Sequence, residues 1–200
     1  MSAGYAVLGW GSLIWDLDDL APKVSLPWHM RSGPHLPMEF TRISPKRKMG
    51  LAVCLDLDHG VDCPTHAIAS RRSSLSEVIS DLAARERAPL EMIGGVCLTT
   101  GERQGREGIA AIVAEWCGDA GWAGAVWTDL QSNYAEMSGH PFSVAAAIAY
   151  LKTLDGESLE EAVRYLALAP AETRTPLRDQ LAQDRWWIEQ VDRLLPSSEC

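Results

Sequence analysis

The amino-acid sequence predicts an α+β fold: a small mixed β-barrel of about six to seven strands, one packed helix (about 74–87) and C-terminal helices. Three observations predict it. Short apolar or alternating runs recur between residues 5 and 128, with turn chemistry between them, which is the pattern of a closed or strongly curved sheet. A single helix signal interrupts those runs. From Ser143 onward the pattern is helical. The expected organisation is a barrel domain over 1–142 with a helical extension over 143–200 packed on it.

Tyr5–Trp15 (YAVLGWGSLIW) opens with a short apolar strand, then a turn in which Gly9 and Gly11 flank Trp10 and Ser12 follows. Glycines at a strand end let backbone N–H groups approach a ligand closely, so the turn is a candidate anion or oxyanion cradle. Asp16–Pro37 holds four prolines and two histidines without a period and reads as a long loop. Met38–Ser44 alternates as a half-buried strand does, and Gly50–Leu57 and Thr65–Arg71 are two more strands. The turn between those two carries Asp56, Asp58, Asp62, Cys63 and His66, but the bidentate acid that a calcium loop needs falls at Ala67. A solvated turn is expected there, and no metal site.

Ser74-x-x-Glu77 is a capping box that opens a helix running to about Arg87, ahead of Pro89. Leu75, Val78, Ile79 and Leu82 form its apolar stripe, and the next position of that stripe is Glu86. Glu77 and Asp81 are expected on the solvated face. Glu86 is thus the carboxylate whose position predicts burial. Ile93–Thr99, Gly108–Trp116 and Trp122–Thr128 read as three further strands, with Asp129–Pro141 as a polar connection. The last third holds a helix over Ser143–Leu154, a second capping box at Ser158-x-x-Glu161, and a final helix from Thr175–Pro176 through Leu195.

The totals bound the function. Two hundred residues with 46% hydrophobic and 22% charged content suit one soluble globular domain, and the net charge of −9 excludes an ordinary nucleic-acid binder. Five scattered cysteines without a CxxC pair form neither a disulfide framework nor a zinc site. Tyr5–Trp15 lacks the basic flank of a signal peptide, and no run reaches the ~18 apolar residues of a membrane span. A cytoplasmic protein is expected, with no membrane partner and no cofactor.

Three familiar glycine motifs fail at the turn. A dinucleotide fingerprint needs glycine where Ile14 stands, a P-loop needs a lysine, and a nucleophile elbow around Ser12 needs glycines where Trp10 and Ile14 stand. A fourth fits. LGWGSLIW resembles the YGSL motif of the gamma-glutamylcyclotransferase superfamily, in the GYGSLIW form of its ChaC-like branch, with Trp10 in place of the tyrosine. Leu82-Ala83-Ala84-Arg85-Glu86 is similar to the family's L-D-x-x-E-G or L-D-x-R-E context in the leucine, the Arg-Glu pair and the spacing, but not in the aspartate. Phe40–Ser44 followed by Arg47 and Gly50 looks like its substrate-side strand, while the tyrosine often found after the glutamate is replaced near Ile93. The resemblance covers roughly residues 5–126.

It implies a gamma-glutamylcyclotransferase-like fold, a small-molecule γ-glutamyl substrate such as glutathione, and release of 5-oxoproline. Glu86 would be the general acid/base. Trp10, Gly11, Ser12, Leu13, Arg42, Ser44 and Arg47 would bind substrate, the turn amides at the glutamyl group and an arginine at a second carboxylate. An unperturbed glutamate, at about 4.3, is a weak base. An apolar helix face and the carbonyls of a helix C-terminus both disfavour carboxylate charge, as the chemistry requires. A non-catalytic module holding a small acidic ligand is the alternative, and a thiol enzyme using Cys54 or Cys97 a third. A buried Glu86 facing the turn favours catalysis; a Glu86 paired to an arginine or facing solvent favours the module.

Overall fold

The computed structural model describes residues 4–195. It divides into two compact units, one of residues 1–36 and 64–130, the other of residues 37–63 and 131–200. The architecture is α+β. The expected barrel is not formed: the strands of the described residues make one six-stranded and one three-stranded sheet, each with open edges.

The first unit is built on the six-stranded sheet. Its strands are β1 (Tyr5–Gly9), β2 (Val24–His29), β6 (His66–Ser70), β7 (Ile93–Cys97), β8 (Arg103–Gln104) and β9 (Gly124–Thr128), in the order β2-β6-β1-β9-β7-β8. β1 runs antiparallel to β6 and parallel to β9. All five β1 residues are buried, so both faces of the sheet are covered at its centre. Helix α1 (Leu75–Glu86) sets Leu75, Val78, Ile79 and Leu82 against Val7, Ile68, Ile93 and Val126. Each fully buried aliphatic side chain of this contact contributes roughly 1.5–3 kcal/mol. Ser74 caps the helix as expected, accepting a hydrogen bond from the Glu77 amide at 3.4 Å and donating one to its carboxylate at 2.7 Å.

Gly108–Trp116 is no strand; it lies inside helix α2 (Glu107–Ala120), which packs on β7 and β9. Its buried residues Ile109, Ala110, Val113, Ala114 and Cys117 follow a helical spacing. The loop expected over 16–37 contains β2. Asp81 is not solvated: it is 7% exposed, and accepts from Arg72 Nε at 2.6 Å with Lys23 Nζ 3.2 Å away. Burial opposes its charge, but the two cations outweigh that and hold its carboxyl below the ordinary value.

The second unit holds β3 (His35–Ser44), β4 (Gly50–Leu55) and β5 (Val61–Pro64) in the order β4-β3-β5. Helices α3 (Tyr134–Ser138), α4 (Val144–Leu151), α5 (Gly156–Leu168), α6 (Pro176–Leu181) and α7 (Arg185–Leu194) complete it. α5 packs on β4 and α7, and α4 on α6. α5 begins at Gly156 after Asp155, so Ser158 is inside the helix rather than its cap. The final helix is two helices, because the Asp184 side chain accepts from the Trp187 amide at 3.1 Å and starts a new one.

Candidate functional site

The glycine turn follows β1 directly. Gly9 ends the strand, and Ser12–Ile14 form a short 3-10 turn. Its first hydrogen bond runs from Ile14 N to Gly11 O at 3.0 Å, so the Gly11, Ser12 and Leu13 amides lie ahead of the ladder, like the first N–H groups of any helix. The glycine at position 9 is dictated by packing: a Cβ there would sit 2.7 Å from the Trp28 ring. Trp10 is buried at 6% exposure, and Leu13 packs into the α1 core, which leaves backbone and the half-buried Ser12 as the polar face of the turn.

Glu86 is the last residue of α1. Arg87 follows in the left-handed region at φ 53°, where the resembled pattern has glycine, and its amide closes on Ala83 O and Ala84 O. The Glu86 side chain is 16% exposed, so the predicted burial is incomplete. Its neighbour Arg85 is the buried one, with a side chain only 1% exposed. Arg85 Nη1 donates to Glu86 Oε1 at 2.8 Å, and Nη2 donates to Ser12 Oγ at 3.4 Å and to the Asp16 carbonyl. The Asp16 carboxylate lies 4.0 Å from Nη2. Opposite charge, not an apolar wall, faces Glu86. Its Oε2 has no partner among the described residues.

Arg85 is the buried charge beside the turn that the apolar period does not mark. At about 100° per residue it lies roughly 80° off the centre of the apolar stripe, on the side of Asp81. Both charged residues on that flank are buried. The available signal was the Arg-Glu pair itself, together with the spacing of four from Asp81 to Arg85.

Arg42, Ser44 and Arg47 belong to the second unit. Arg42 Nη1 donates to Gln131 O at 2.7 Å. Arg47 Nη1 donates to Glu161 Oε1 at 2.8 Å, and its guanidinium lies 5.1 Å from the Tyr165 ring centre. Ser44 ends β3 and accepts from the Met49 amide at 2.9 Å. Asp56, buried at 4% exposure, takes the Asp58 and His59 amides at 2.9 Å each; the solvated turn expected there is shortened to residues 56–60, because Val61–Pro64 form β5, and no group of three or more potential metal ligands occurs among the described residues.

The cysteines differ among themselves. Burial pushes the Cys54 thiol up to about 11. Burial also pushes the Cys97 thiol up, but hydrogen bonds from Thr100 and Tyr5 outweigh it and bring the thiol down to about 7. Cys97 meets Tyr5 Oη at 3.2 Å, at the opposite end of β1 from the glycine turn. Four residues of strand separate the two, on the order of 13 Å. No helix among the described residues is long and apolar enough to cross a membrane. Compared with known proteins, the chain matches no protein-family model, no curated protein and no solved structure.

Proposed function

We propose that the glycine turn and the end of α1 form a site for a γ-glutamyl compound, and that the chain is a gamma-glutamylcyclotransferase-like enzyme releasing 5-oxoproline. The observation that carries this reading is the meeting of the glycine turn with the end of α1: Ser12 Oγ and Arg85 Nη2, 73 positions apart in the chain, lie 3.4 Å from each other. In the reaction the substrate's α-amine nitrogen bonds to its own γ-carbonyl carbon, closing a five-membered ring, and the γ-amide C–N bond breaks. The amine proton passes to Glu86 Oε2 and from there to the departing nitrogen. The carboxylate is regenerated and no water is consumed. Because nucleophile and electrophile share one molecule, holding it folded supplies much of the acceleration. The Gly11, Ser12 and Leu13 amides donate to the oxyanion that forms on the γ-carbonyl oxygen. Arg42 and Arg47, engaged by Gln131 and Glu161, take no part in the proposed step.

The Arg85–Glu86 pair favours a second reading, a non-catalytic module in which the same turn holds a small acidic ligand. The two readings separate on one panel of γ-glutamyl dipeptides, glutathione and γ-glutamyl amines, each paired with its N-acetylated counterpart. An enzyme yields 5-oxoproline from free-amine members and none from the blocked ones, whose nitrogen cannot attack. Saturable binding without 5-oxoproline from any member establishes the module instead.

A further inference from the structure

We infer that Arg85 is a positioning residue, which fixes the Glu86 carboxylate at the glycine turn from behind and never touches substrate. The inference rests on the reading of Glu86 as the proton-handling group. Exposure divides the labour: Arg85 is closed to any ligand at 1%, whereas Glu86 can be reached at 16%. Adjacent residues of a helix point about 100° apart and do not ordinarily face each other. Here they meet because α1 ends at Glu86, and because Arg85 turns inward to the Asp16 carbonyl and Ser12.

The fork is what makes this possible. Nη1 is spent on Glu86 Oε1, and Nη2 on Ser12 and Asp16. One planar group therefore sets the carboxylate and the 3-10 turn against each other, and its bond to Glu86 runs through Oε1. Lysine carries the same charge as a single point and cannot span partners on two sides. A merely structural tie between α1 and the turn would move stability. A positioning residue moves the rate of the bound complex.

The test compares the wild-type chain with Arg85→Met, Arg85→Lys and Glu86→Gln, each checked for folding by thermal unfolding, on the free-amine panel. Arg85→Met is expected to lose about 10²-fold in kcat, the size of effect that misplacing a catalytic group produces, with KM moving less than about threefold. Arg85→Lys is expected to recover only part of that loss, and it carries the test if the methionine variant does not fold. A loss confined to KM would make Arg85 a substrate contact, and full recovery by lysine would reduce its role to charge; either overturns the inference. Glu86→Gln reports on the underlying reading separately: turnover that survives it defeats that reading, whatever Arg85 does. If the wild type turns over no member of the panel, the reading of Glu86 fails and the inference falls with it.

Discussion

Gly94 faces Trp127 across the β7–β9 pair, and a Cβ at that glycine would fall 2.0 Å from the indole Cε2. Trp127 is fully buried, and its Nε1 lies 3.4 Å from Asp129 Oδ1, so the ring has nowhere to move. Gly94→Ala is therefore expected to destabilise the chain by about 3 kcal/mol, at the upper end for overpacking, as measured by denaturant unfolding. A loss under about 1 kcal/mol would show that the ring yields. A second residue-scale prediction concerns Cys97. Its thiol is lowered from 9.0 to about 7, and Tyr5, through its hydrogen bond to that sulfur and its burial, is raised to about 12. A group lowered on folding adds stability in full above its unfolded value and loses it as pH falls through the folded one. The ultraviolet thiolate signal lost in Cys97→Ser should titrate near pH 7, and Tyr5→Phe should raise that midpoint. A midpoint at 9 or above in the wild type contradicts the account. At this scale the sequence pointed to the right helix turn, but the burial expected of Glu86 falls more fully on Arg85, because periodicity locates a face without saying how far a long side chain reaches behind it.

Among the elements, legibility followed local chemistry. β1, β4, β7 and the Ser74-capped α1 are set by short-range patterns, and the structure places them close to where those patterns fall. α2 misleads because two isoleucines, a valine and a tryptophan raise strand propensity over 109–116, while its small alanines and its helical spacing favour a helix. β2 was hidden by the prolines around it; Pro27 sits in a strand at the edge of its sheet, where a missing N–H is tolerated. The break between α6 and α7 is a capping event at Asp184, within a stretch whose apolar residues suit one continuous helix. Asp184→Ala removes the bond to the Trp187 amide and also the 2.8 Å pair with Lys152. A cost of about 1 kcal/mol in thermal or denaturant unfolding is expected. No measurable change would mean the cap does not set the start of α7.

At the scale of the molecule, the α+β class was legible and the closed barrel was not. Closure depends on strand order and on every strand being a strand, and neither is encoded in the alternation of any single segment. With α2 where a strand was expected, six strands remain as an open sheet in the first unit, and β3, β4 and β5 group with the C-terminal helices in the second. The candidate site was legible to the extent that it rests on local sequence: a glycine turn at one strand end and an acid at one helix end. Their meeting through a buried guanidinium is a property of the fold alone. The central claim is that this meeting is catalytic, and the most direct measurement is 5-oxoproline release by Glu86→Gln on the best substrate of the wild type. Loss of an acid/base group predicts a fall of roughly 10²–10⁴-fold in kcat with the fold intact. Turnover within about threefold of the wild type would contradict the account.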